Sequence, residues 1–172
     1  MDRGEHAWSS RLKGLLSYPQ AVLSDETRLG NPYDGYALAQ KRANLLSQVL
    51  SGCESQIVVY VRPQYSWLPS VFTQAMQEGL NSDVDQFLAV TNGSPWLLWS
   101  NLVKLLREVS GVSRVVPRIY SSNIDVVEDF FEVAGLGKAP TFGKGGVRAN
   151  GSSPAVQIPI LTALLRAPEF RA

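Results

Sequence analysis

The stretch Gln56-Ile57-Val58-Val59-Tyr60-Val61-Arg62-Pro63-Gln64-Tyr65-Ser66-Trp67-Leu68-Pro69-Ser70 changes its apolar period midway. Its first six residues are largely β-branched and almost continuously apolar, the pattern of a strand covered on both faces. Beyond Trp67 the apolar residues recur at helical spacing, and Leu68, Val71, Phe72, Ala75 and Met76 share one face. A strand passing into a helix within a few residues is half of a β–α–β unit, so the segment predicts parallel pairing in an α/β domain. Ser66 is the expected N-cap. That start would place Pro69 in the first turn, where N–H groups lack helical partners anyway. It would also place Ser70 about one turn inside, near the positive end of the helix dipole. Arg62 falls where the strand ends. An arginine at this edge, beside a helix start that carries a hydroxyl, suits a phosphate. Open α/β sheets bind their ligands along the same edge.

The rest of the chain extends this pattern in both directions. Upstream, Ala21-Val22-Leu23 reads as a short strand. Downstream, Val112 to Tyr120 reads as another, with Val115, Val116 and Ile119 apolar and Pro117 directing it to a bulge or a sheet edge. Leu38, Leu45, Leu46, Val49 and Leu50 make one helical face, and Leu98, Trp99, Leu102, Leu106 and Val109 a second. Val127, Phe130, Phe131 and Ala134 make a third, with Ser122 and Asp125 as a cap-like start and Gly135 as a stop. A last helix is expected near Pro159, carrying Ile160, Leu161, Leu164 and Leu165. Residues 1–18 are expected to be disordered or a partial helix, and 136–153 a flexible basic loop containing Lys144 and Arg148. The reading is a single domain over residues 1–172: a three-layer α/β fold with a short, mostly parallel sheet flanked by helices.

Composition narrows the chemistry. Sixteen basic and fifteen acidic residues leave almost no net charge, so bulk charge does not point to nucleic acid or a membrane surface. No apolar run approaches the ~18 residues of a membrane span, and Met1 to Ser10 lacks the apolar core of a secretory signal. A cytoplasmic location is expected. Cys53 and His6 are the only residues of their kinds. An internal disulfide and a thiolate metal cluster are therefore ruled out, and a Ser-His-Asp mechanism would have to use His6 in a polar terminus. No metal is expected.

The Arg62–Ser70 spacing resembles that of sulfotransferases using 3′-phosphoadenosine-5′-phosphosulfate (PAPS), where an Arg at a strand end and a Ser eight residues later hold the nucleotide 3′-phosphate. Gln64, Phe72 and Gln74 resemble a bacterial, carbohydrate-type branch, although Pro63 follows the Arg directly, whereas many members have proline at the second position. An ordered series continues the likeness: Phe87-Leu88, Leu98-Trp99, Gly111 to Arg118, Asp129-Phe130-Phe131 with Gly135-Leu136-Gly137, and Asn150, Ser152 and Pro154. Val22-Leu23-Ser24-Asp25-Glu26 is similar to a Ser-x-Glu element ending the preceding strand.

The resemblance implies a P-loop-like fold, PAPS as sulfuryl donor, a hydroxyl acceptor of the carbohydrate class, and no metal. Glu26 and Asp25 are general-base candidates, because sulfuryl transfer to a hydroxyl benefits from a carboxylate that takes its proton. Both also suit a capping or surface role. Arg28 is a candidate for stabilising sulfate charge, and Lys144 and Arg148 for closing over the nucleotide. Trp67, Trp96 and Trp99 read as core.

The chain departs from the family in one respect. Nothing before Ala21 resembles the loop that binds the 5′-phosphosulfate, and Gly137 to Gly145 has the wrong spacing and ending for one. Without a Walker A motif or an acidic pair to hold magnesium, a P-loop kinase is disfavoured. Two readings stay open: a piece of a longer enzyme, inactive alone, or a non-catalytic domain that binds a nucleotide or a partner. Without the family's first strand, the strand ending at Arg62 would face an empty position or pair with something else, and the chain alone is expected to be marginally stable, rearranged or self-associating through that edge.

Overall fold

The computed structural model describes residues 14, 18, 21–25, 28–79, 83–121 and 123–139. Its elements run, in order, α1 (Ala39–Leu50), β1 (Ser55–Val61), α2 (Gln64–Gln77), α3 (Val84–Asn92), α4 (Trp99–Arg107), β2 (Val112–Ile119) and α5 (Val126–Val133). Short 3-10 turns at Pro32–Asp34 and Pro95–Leu97 precede α1 and α4. The domain is α/β: β1 and β2 pair in parallel, joined by a crossover of three helices.

The register runs Ile57 opposite Val115, Val59 opposite Pro117 and Val61 opposite Ile119. Proline is accommodated by the parity of the ladder. Tyr120 donates its N–H to the Val61 carbonyl at 2.7 Å, so backbone groups at an odd offset from Tyr120, Pro117 among them, face away from β1. The N–H that proline lacks would have pointed outward. Pro117 therefore breaks no bond to β1; of the bulge or sheet edge expected for it, the edge is what the described residues place there.

Two apolar clusters hold the helices. Leu68, Val71 and Phe72 of α2 pack with Phe87 and Leu88 of α3 and with Leu97. Ala39, Ala43, Leu46 and Val49 of α1 pack with Leu105 and Val109. On α1 the buried stripe is partly the small residues; Leu38, expected in the core, lies outside the helix and is exposed. Helix α3 has no counterpart among the helical faces read from the sequence. Asp83 caps it by accepting from the Gln86 N–H at 2.8 Å, and Phe87, Leu88 and Thr91 are its buried residues. Helix α5 lies along one face of the sheet and runs opposite to β1. Its start meets Tyr60, while Gln56 Nε2 donates to the Val133 carbonyl at its end, 3.2 Å away. Asp125 caps α5 by accepting from the N–H groups of Val127 and Glu128; Ser122 lies outside the described residues.

Three expectations need correction. Residues Ala21 to Leu23 form no strand; they are exposed and irregular, with no ladder partner among the described residues to satisfy their backbone. Strand β1, whose apolar run predicts cover on both faces, is only half-buried along most of its length, with β2 as its one ladder partner among the described residues. Helix α2 begins at Gln64 with Pro63 as N-cap, because proline's fixed φ favours that entry. Ser66 is inside the helix, its hydroxyl donating back to the Pro63 carbonyl at 3.0 Å. Pro69 is therefore well past the first turn, buried, and withholds a donor from the Tyr65 carbonyl in the exposed opening turn. The last helix expected near Pro159, and the basic loop apart from its first residues, lie outside the described residues.

Candidate functional site

The carboxyl end of the sheet brings Arg62 and Tyr120 together. Each follows its strand directly, and the parallel register places the Arg62 guanidinium carbon 5.2 Å from the centre of the Tyr120 ring. The aromatic face offers the cation a weak attraction and leaves its N–H donors unspent. The guanidinium has no acidic partner among the described residues. The Arg62 backbone is fixed from the other direction, where Trp99 Nε1 donates to its carbonyl at 2.6 Å. Gln64 Nε2 ties the next turn to the Leu97 carbonyl at 3.1 Å. Trp67 stands edge-on to Trp99, with ring centres 5.0 Å apart, and stacks on Tyr36 at 6.0 Å. These tryptophans were expected in the core. They are half-buried and form the wall behind the strand end.

Helix α2 opens beside Arg62 without a side-chain cap. Its leading N–H groups put a positive partial charge two residues along the chain from Arg62. A guanidinium and an uncapped helix start favour an anion together. Ser70 lies six residues beyond Gln64, about 9 Å along the axis. It shares a helix face with Ser66 and Thr73, opposite the face that carries Leu68 and Ala75. No hydrogen bond joins Ser70 to Arg62 among the described residues. Ser70 sits deeper in the helix than expected because α2 starts two residues before Ser66.

The carboxylate candidates are placed differently. Asp25 forms an ion pair with Arg28 at 3.1 Å. Burial lowers the Arg28 guanidinium from its ordinary value, Asp25 pulls it back up, and nearby Arg42 lowers it further. Asp25 and Arg28 thus engage each other, whereas the sequence reading gave them separate roles. Glu26, Lys144 and Arg148 lie outside the described residues. Among the described residues no group of three His, Cys, Asp or Glu side chains is placed to hold a metal, and no helix is long and apolar enough to cross a membrane.

A second polar cluster went unread in the sequence. Tyr60 Oη donates to Asp129 Oδ2 at 2.6 Å, and Arg118 donates through Nε at 3.0 Å and also through its terminal nitrogen. Tyr60 and Arg118 are register partners, and Asp129 reaches both from α5. Burial and the bond to Asp129 push Tyr60 up to about 12. The hydrogen bonds from Arg118 and then Tyr60 hold the Asp129 carboxyl below its usual range. The cluster fastens α5 to the strand ends. Nothing local in the sequence signals it, since it depends on which residue of β2 faces Tyr60.

Asp129→Asn is expected to lower the melting temperature at neutral pH. The native-state depression means this stabilisation is fully present above the ordinary carboxylate range and is lost as pH falls through the lowered native value. The gap between wild type and variant, followed by circular dichroism, should close in acid. A gap that is constant with pH would remove the ionised carboxylate as its cause.

Between α1 and α4 lies a separate cleft of about 280 Å³, with Gln40, Trp96, Asn101, Lys104 and Glu108 among its lining. None of the expected site residues lines it. No family model, curated protein or solved structure matches the chain.

Proposed function

We propose that this chain is a sulfotransferase-like domain that holds the 3′-phosphate of PAPS at the carboxyl edge of β1, with Arg62 as the anchor. The observation that carries the reading is the Arg62 guanidinium, unspent on any acidic partner among the described residues and set beside the uncapped start of α2. One guanidinium and one helix start suit a single phosphate group. Ser70 would contribute a hydroxyl from the second turn, and Lys144 and Arg148 would close over the nucleotide. The fold in this reading is the three-layer, P-loop-like arrangement, with α5 as one outer layer. In the reaction the acceptor oxygen, on a carbohydrate or another hydroxyl compound, bonds to sulfur as the bond from sulfur to the 5′-phosphate oxygen breaks. The acceptor proton passes to a carboxylate, and Glu26 is the candidate because Asp25 is engaged by Arg28. That same ion pair favours a second reading, a domain that binds the nucleotide without turning it over.

The test is calorimetry with adenosine 3′,5′-bisphosphate and adenosine 5′-monophosphate. The bisphosphate should bind more tightly, since only it carries the 3′-phosphate. Equal affinity for the two, or none for either, overturns the assignment. Sulfate transfer from PAPS to a saccharide acceptor then separates the enzyme from the non-catalytic binder.

A further inference from the structure

The two outer edges of the sheet are built differently. On β2 the outward set of backbone groups includes Pro117, which has no N–H to offer, so a further strand could not complete a ladder there. On β1 the parity set by Val61 and Val59 facing β2 turns the N–H and C=O groups of Gln56, Val58 and Tyr60 outward. Among the described residues these outward groups have no hydrogen-bond partner. The strand reads Ser-Gln-Ile-Val-Val-Tyr-Val, without a charge or a proline, so it lacks the devices that blunt an edge. Its Ile57, Val58 and Val59 are only half-buried, although their apolar character suits full cover.

We propose that β1 pairs antiparallel with β1 of a second copy of this chain, about a two-fold axis through Val58. The strand is self-complementary in that arrangement. Val58 faces the partner's Val58, and Gln56 faces the partner's Tyr60 on either side of the axis. The outward groups of all three residues are satisfied in about six hydrogen bonds. No like charges meet, because the strand has none. The closed, isologous contact yields a dimer and does not propagate. It joins two two-stranded sheets into one of four strands, a size at which sheets are commonly stable. Pro117 terminates the combined sheet at both ends.

Sedimentation of the full chain should show a dimer that dissociates on dilution. Val58→Pro removes only an outward N–H and no bond to β2, so it should weaken the dimer at least tenfold with the circular dichroism spectrum unchanged. A second variant keeps the proposal falsifiable if that one fails to fold. Facing residues of a hydrogen-bonded pair have Cα atoms about 5.5 Å apart, within the roughly 4.4–6.8 Å range of a disulfide. Val58→Cys in a Cys53→Ser background should therefore oxidise to a covalent dimer. A chain that is monomeric at every concentration overturns the proposal, as does a dimer whose Val58→Cys form does not cross-link. Monomers with the Gln56, Val58 and Tyr60 amides protected from hydrogen exchange would overturn it in favour of another segment of the same chain on this edge.

Discussion

Gly111→Ala is expected to destabilise the domain by on the order of 3 kcal/mol, combining backbone strain with a steric overlap. Gly111 sits at φ +81°, a left-handed conformation that side chains tolerate poorly, and a Cβ there would lie 1.9 Å from the Leu50 carbonyl oxygen. That neighbour is backbone at the end of α1 and cannot rotate aside. The same residue opens β2, and its carbonyl accepts from the Ser55 N–H at 2.9 Å and from the Ser55 hydroxyl at 2.6 Å. Moving Gly111 to relieve the overlap would loosen the first pairing of the sheet. Gly52 is the control: its φ is +85°, but a Cβ there meets nothing within 4 Å. Gly52→Ala should therefore cost only the strain, about 1 kcal/mol. Urea denaturation of both variants separates the two contributions. Equal losses at the two glycines would show that the contact with Leu50 relaxes freely.

The second large effect concerns ligand binding. Arg62→Ala should weaken adenosine 3′,5′-bisphosphate by about 10- to 150-fold, since a hydrogen-bonded charge pair is commonly worth ~1.5–3 kcal/mol. Binding of the 5′-monophosphate should barely change, so the preference between the nucleotides collapses. The melting temperature should stay close to wild type, because the side chain rests on one aromatic ring and forms no ion pair among the described residues. Arg62→Lys should recover only part of the affinity, as an ammonium cannot present two parallel donors to a phosphate. Calorimetry on the three proteins reads the result. An unchanged preference in Arg62→Ala would remove this edge as the phosphate site. Ser70→Ala provides a separate measure, because the hydroxyl lies in the second turn of α2. A loss there smaller than that of Arg62→Ala, but still selective for the bisphosphate, places Ser70 on the same phosphate.

Much of the fold is legible in the chain because it rests on local periodicity. The β-branched run of Gln56 to Val61, the apolar spacing from Leu68 to Ala75 and the Asp125–Gly135 bracket each report a local energy; the first and last match an element within a residue or two, and the second lies inside α2. Where competing local signals were close, the reading slipped. Ser66 is the better N-cap by side chain, yet Pro63 starts α2, because a fixed φ is already helix-compatible and Trp67 finds its place against Trp99 and Tyr36. Helix α3 escaped because its buried residues are two apolar neighbours, Phe87 and Leu88, and the polar Thr91, too few apolar positions to show a period. Ala21 to Leu23 had strand character but no strand to pair with among the described residues.

By itself, then, the sequence determined the α/β class, the β1–α2 junction and the position of Arg62 at a strand end. These follow from the alternation of periods along a continuous stretch of chain. Only the tertiary structure decided which residues meet. The register of β2 against β1 sets Tyr120 beneath Arg62 and Arg118 beside Tyr60, and one step of slip would turn each of these side chains to the other face. Asp129 joins Tyr60 across 69 positions, and Trp99 reaches the Arg62 carbonyl across 37. Asp25 spends its charge on Arg28. Such contacts are set by how the helices pack on the strands, an energy shared among many side chains and carried by no short motif.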